Sequence, residues 1–217
     1  MATARKIMEL AASYLGTKES PAGSNNVIFN THYYGREVSG AYAWCCVFVW
    51  DIFRMCGASE LFYNGQKTAY CPAVQNWGKS AGLTVDKASA KYGDIVLFDW
   101  NNNNSPDHIG LVQMNNGNGT ITTIEGNTSV TSDDNGGNVM ERVRKLSDVC
   151  CVIRPAYAPE NPFHDVKETD WYYNDVLWGV ENGITNGTSE TTFSPDQPCT
   201  RAQVMAFLHR LADKLQK

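Results

Sequence analysis

The chain has 217 residues, 42% hydrophobic and 19% charged, the composition of an ordinary soluble globular protein. Net charge is −5, unevenly spread: residues 1–156 carry 13 Lys and Arg against 14 Asp and Glu, and residues 157–217 carry 5 against 9. Neither part has the basic excess of a nucleic-acid-binding protein, and no stretch approaches the roughly 18 apolar residues of a membrane span.

The first ten residues, Met1 to Leu10, include Arg5 and Lys6 but lack the apolar run of roughly 7–15 residues that a signal peptide needs. Ile7, Leu10, Ala11, Tyr14 and Leu15 recur at helical spacing and Gly16 is a stop. An amphipathic helix is expected there, in a protein made in the cytoplasm. The polar stretch 17–40 reads as irregular surface structure. From Ala43 to Met55 nearly every residue is apolar, as in a helix buried on most sides, and a short helix is expected from Pro72 to Lys79.

Beyond Gly93 the pattern changes to strands over 94–100, 108–114, 119–125, 138–144 and 150–156, most of them separated by Asn- and Gly-rich turns. Helices followed by an antiparallel sheet define an α+β fold. Three prolines within Pro155 to Pro162 mark a semi-rigid linker. The expected division is a domain over 1–156, a linker over 157–162 and a small helical unit over 163–217. Helices are expected there at 172–182 and 201–214, the second capped by Thr200.

The seven cysteines show no CxxC spacing, and Cys45-Cys46 and Cys150-Cys151 are vicinal pairs, too strained for ordinary disulfides. Cys45 is different, because a thiolate forms more readily near a helix N-terminus. Cys46, rotated by roughly 100° on the same helix, is the rival, and periodicity does not choose between them. The 108–114 and 119–125 strands flank Asn115-Asn116-Gly117-Asn118. A symmetric four-residue loop there sets His108 directly opposite Glu125. Asn127 shares that face if the chain stays extended. Thiol, imidazole and an orienting Glu125 or Asn127 are the groups a cysteine hydrolase needs.

Four ordered motifs then resemble CHAP domains of the papain-like superfamily that includes the NlpC/P60 hydrolases. They are Ala43-Trp44-Cys45-Cys46-Val47-Phe48-Val49, Gly93-Asp94-Ile95-Val96-Leu97-Phe98, Asp107-His108-Ile109-Gly110-Leu111-Val112 and Ile124-Glu125-Gly126-Asn127. The resemblance implies a papain-like α+β fold acting on bacterial peptidoglycan. It makes Cys45 the nucleophile and His108 the base, with Glu125 and Asn127 completing the site. Trp44, Asn26 and Tyr42 are the candidates for substrate contact, and a backbone N–H of Cys45 or Cys46 is a candidate oxyanion donor. Some relatives bind calcium through an acidic loop before the cysteine; 17–44 offers only Glu19 and Glu37, so no metal or other cofactor is expected.

In the C-terminal part, Phe163-His164-Asp165-Val166, Trp171-Tyr172, Gly183-Ile184-Thr185-Asn186-Gly187, Thr192-Phe193-Ser194-Pro195 and Thr200-Arg201-Ala202-Gln203 resemble an S-layer homology (SLH) motif. That implies binding to secondary cell-wall polysaccharide, with Trp171 and Arg201 as contacts. Such motifs typically come in threes, and a unit this small does not easily bury a core alone. A homotrimer through 163–217 is therefore expected, with docking on the catalytic domain as the alternative. The combined expectation is a phage or prophage endolysin cleaving a wall-peptide amide as endopeptidase or N-acetylmuramoyl-L-alanine amidase. An autolysin, a non-catalytic wall-binding protein and a protease acting on proteins are the rivals.

Overall fold

The computed structural model describes residues 2–215. Met1, Gln216 and Lys217, the outer ends of the two expected domains, lie outside the described residues. The chain divides into two compact units, at Ala158 and Pro159.

Among its described residues the first unit has four α-helices, α1 (Ala4–Ser13), α2 (Ile28–Tyr34), α3 (Cys45–Met55) and α4 (Cys71–Ser80), and one antiparallel sheet. Its strands are β1 (Thr84–Val85), β2 (Ile95–Phe98), β3 (His108–Asn115), β4 (Thr120–Thr128), β5 (Asn138–Lys145) and β6 (Val149–Ile153), in the order β1-β6-β2-β3-β4-β5. The expected α+β class holds. Helix α3 lies across β3 and β4 and buries Val47, Phe48, Val49, Ile52 and Phe53. Each such side chain contributes about 1.5–3 kcal/mol relative to exposure, so α3 is the axis of the core.

Gly126 sets how closely α3 approaches the sheet. A Cβ at that position would stand 2.5 Å from Phe48 Cβ and 3.0 Å from the Trp44 ring. Only glycine lets the helix start settle on β4, and that places Cys45 over the strands that carry His108 and Glu125.

Helix α2 was not expected, since 17–40 reads as irregular. At seven residues it is too short to show a period, and one side chain anchors it. Phe29 stacks on Trp44 and packs edge-on against Phe48 and Tyr14. The buried Asn30 amide donates to the Asn25 and Tyr42 carbonyls, tying down the loops on either side.

The β3–β4 register also differs from the symmetric hairpin. Leu111 pairs with Ile124 and Val112 with Thr123, and an irregularity follows between Val112 and Met114. Extended along the strands, this register sets Gly110, not His108, opposite Glu125. Before the irregularity the slip is by two residues, so His108 and Glu125 keep the same face.

The second unit holds helices α5 (Tyr173–Glu181) and α6 (Arg201–Leu215), and Val176 of α5 joins Phe163 and Val166 in a small cluster with Phe193 against it. Both Asp165 carboxylate oxygens accept backbone N–H groups, from Phe193 at 2.9 Å and Ser194 at 2.7 Å, which folds that loop over the cluster. Thr200 caps α6 as expected. Its hydroxyl accepts from the Gln203 N–H while the Gln203 side chain accepts from the Thr200 N–H, a reciprocal capping box.

Candidate active site

Cys45 is the first residue of α3, where the N–H groups of the opening turn have no intrahelical acceptor. Cys46 follows it but is wholly buried, and its thiol donates to the Thr68 carbonyl at 3.4 Å. Cys45 keeps 6% of its surface exposed. Of this pair, Cys45 is the less enclosed.

His108 opens β3 and is fully buried. Its Nε2 lies 3.0 Å from Glu125 Oε2, which leaves Nδ1 as the nitrogen available to the thiol. Burial alone would lower the His108 pKa, but interaction with Cys45 and Glu125 outweighs it and raises the value to about 9. For Cys45, the neighbouring Cys71 thiol and burial push the pKa well above the ordinary range, while His108 pulls it down. The imidazole rests against Trp100, with ring centroids 5.5 Å apart.

Glu125 is held from three sides. Thr123 Oγ1 donates to Oε1 at 2.6 Å, and Arg144 donates from Nε to Oε1 at 2.9 Å and from Nη2 to Oε2. Burial alone would raise the Glu125 pKa, but Arg144 and His108 bring it down to about 2. The Arg144 guanidinium also lies 5.0 Å from the Trp100 ring centroid and contacts Asp133. The result is a chain of charge running from Arg144 through Glu125 to His108 and on to the Cys45 thiol. It can hold an imidazolium beside a sulfur nucleophile.

Two expected site residues do other work. Asn127 does not reach the imidazole, because its backbone turns to φ 59° instead of staying extended. Its amide donates to the Asp134 carbonyl and to Asn135, and its Oδ1 accepts from the Gly137 N–H, so it anchors the β4–β5 loop. Trp44 has 0% exposure and no surface to offer a substrate. Its indole donates to Glu19 at 2.8 Å and its ring packs on Phe29, a core role.

Asn26 and Tyr42 are half-buried, and among the described residues neither hydrogen-bonds to Cys45, His108 or Glu125. Asn26 uses its backbone to fix the turn with Ser20 and Ser24, and Tyr42 packs edge-on against Tyr34. In the second unit, Trp171 is 87% exposed and contacts Tyr172, and Arg201 begins α6 on the surface. The described residues contain no group of three or more His, Cys, Asp or Glu able to hold a metal.

Arg144, Thr123 and Cys71 were missed from sequence. A buried carboxylate calls for a cation, but β5 and its end carry Arg142, Arg144 and Lys145, and choosing among them needs the register. Glu125 pairs with Met140 and Ile121 with Arg144, so Arg144 stands four residues along β5 from the position opposite Glu125 and spans the gap with its long side chain.

The arrangement brings a thiol, an imidazole and a carboxylate together on an α+β scaffold. Residues 37–127 match the family model of the CHAP domain and residues 162–205 that of the S-layer homology domain, so both domains are present in the chain. A CHAP domain implies a peptidoglycan hydrolase and an SLH domain implies cell-wall binding. The chain is 44% identical over 46 residues to the surface-layer 125 kDa protein of Lysinibacillus sphaericus, covering 21% of this chain and 4% of that protein. It is 45% identical over 49 residues to an endoglucanase of Bacillus sp. (strain KSM-635), covering 23% of this chain and 5% of that protein. The matches therefore span only a small part of those relatives. Among solved structures, the crystal structure of Ly7917 aligns with a TM-score of 0.40 and 15% identity, over 71% of this chain and 63% of that one.

Proposed function

We propose that the protein cleaves an amide bond in the peptide part of bacterial peptidoglycan, with Cys45 as nucleophile and His108 as acid and base. The Cys45 sulfur attacks the amide carbonyl, and His108 takes the thiol proton and delivers it to the leaving amine. A thioester remains on Cys45, and water activated by His108 cleaves it. Glu125 positions the imidazole and stabilises its charged form, while N–H groups at the start of α3 are donors for the oxyanion. The observation that carries this reading is the buried His108–Glu125–Arg144 chain ending at a thiol on a helix N-terminus.

The second unit would hold the enzyme on wall polysaccharide through Trp171 and Arg201. Helix α6 leaves Val204, Met205, Leu208 and Leu215 exposed, and a homotrimer through 163–217 would cover them. A monomer by light scattering at micromolar concentration overturns the trimer. As an endolysin, the enzyme would be made in the cytoplasm and reach the wall after release.

Cys45→Ala tests the central reading against that of a non-catalytic wall-binding protein. Lysis of purified walls should vanish while wall binding stays. Undiminished lysis by this variant overturns the assignment, and mass spectrometry of wild-type digests identifies the bond cut, at the amidase position or within the peptide.

A further inference from the structure

Cys71 is the first residue of α4, as Cys45 is of α3, and the two sulfurs lie 3.9 Å apart without a bond. A disulfide needs about 2.05 Å, so the thiols must close by about 1.9 Å, within reach of side-chain rotation. Each sulfur sits at a helix N-terminus, which favours a thiolate, while neighbouring thiols and burial push both above the ordinary range and His108 pulls Cys45 back down. The other cysteines near the core are engaged differently. Cys46 bonds the Thr68 carbonyl as well as lying against the Cys71 thiol, Cys56 bonds the Lys6 carbonyl, and the exposed Cys150 bonds the Leu97 carbonyl. Vicinal Cys45 and Cys46 could join only through a strained ring.

We propose that Cys45 and Cys71 form a peroxide-responsive disulfide that reversibly blocks the reactive thiol. The Cys45 thiol passes its proton to His108, and the sulfur attacks one oxygen of hydrogen peroxide and breaks the O–O bond, giving a sulfenic acid while the proton held by His108 turns the departing hydroxide into water. Cys71 then attacks the sulfenic sulfur, gives up its proton and releases a second water as the S–S bond forms. Both thiols are oxidised, one peroxide is reduced to two waters, and a dithiol reductant reverses the reaction. A reactive cysteine with no partner continues to the irreversible sulfinic acid, so Cys71 also protects Cys45.

The effect on activity rests on Cys45 being the nucleophile, and the test separates the two ideas. The full chain is treated with hydrogen peroxide, its remaining thiols are alkylated, and the peptides are mapped while lysis of purified walls is followed. The expected map joins the Cys45 and Cys71 peptides, with two hydrogens lost from the intact mass. Lysis should fall almost to nothing and return with dithiothreitol. In Cys71→Ser, dithiothreitol should not restore lysis and Cys45 should be found as sulfinic acid. The wild-type map decides the pairing whether or not that variant folds. A link from Cys46 to either partner, or lysis lost with Cys71 still free, overturns the proposal. A complete Cys45–Cys71 link with lysis intact overturns the nucleophile reading, and the block falls with it.

Discussion

His108 and Glu125 meet diagonally across the β3–β4 pair: the register puts Gly110 opposite Glu125, and the carboxylate leans along the sheet to reach Nε2 at 3.0 Å. That lean passes over Gly110. A Cβ there would stand 2.7 Å from Glu125 Cγ, well inside contact distance. The glycine provides the space in which the site is assembled.

Gly110→Ala therefore should act on catalysis through Glu125. The added methyl meets the side chain of a carboxylate held by four bonds, one from Thr123, two from Arg144 and one with His108, so at least one of them should lengthen. Overpacking of this kind costs about 1–3 kcal/mol of stability. Misplacing the imidazole should lower kcat/KM on the order of 100-fold. Thermal unfolding and wall-lysis kinetics measure the two effects, and normal kinetics in a destabilised variant would show that Gly110 matters for packing alone.

The pH profile reports the same pair from another side. His108 must be neutral in the free enzyme to take the thiol proton, and its pKa is raised to about 9 by Cys45 and Glu125 against the cost of burial. The acid limb of kcat/KM is thus expected near pH 9. Glu125→Gln keeps the shape and removes the charge, so the limb should move down towards 6.5, the ordinary histidine value. A merely structural glutamine would lower activity at every pH and leave the limb in place.

The difference between the expected and observed sites follows from what each part depends on. His108 and Glu125 could be brought together from sequence because parity along a strand survives a two-residue slip in register, whereas the preference for Cys45 over Cys46 came from the resemblance and not from periodicity. Asn127 could not, since its place in the site assumed an extended backbone and asparagine is among the residues that most readily adopt positive φ. Trp44 failed for a related reason. A tryptophan beside the nucleophile can face substrate or core with equal ease, and only the packing of Phe29 decides it. Helix α2 and the choice of Arg144 were settled by contacts distant in sequence.

Stability should follow the charges of this pair with a calculable sign. Glu125 is lowered to about 2 from 4.5, so its contribution is complete above pH 4.5 and is lost as pH falls towards 2. His108 is raised from 6.5 to about 9, so its contribution is complete below pH 6.5 and is lost as pH rises through 9. Together they place maximum stability between pH 4.5 and 6.5. Arg144→Met should cost up to about 3–5 kcal/mol by leaving the Glu125 charge short of its cation. The double variant Arg144→Met with Glu125→Gln should lose less than the two single losses combined, because the stranded charge is gone. Additive losses in chemical denaturation would mean that the two side chains do not interact.

Wall attachment is separable from all of this, because Trp171 lies in the second unit with 87% of its surface exposed. A side chain that exposed contributes little to folding, and its removal should change stability by no more than about 0.5 kcal/mol. An aromatic ring held in solvent beside Tyr172 does offer a flat face on which a sugar can stack. Trp171→Ala should therefore weaken co-sedimentation with purified walls while the melting temperature and the cleavage of soluble wall peptides stay unchanged. Arg201→Ala should do the same if the polysaccharide is anionic, with a loss that shrinks as salt rises. Unchanged sedimentation in both variants would move the binding surface elsewhere in the unit. The exposed Val204, Met205 and Leu208 of α6 would then be the next residues to substitute.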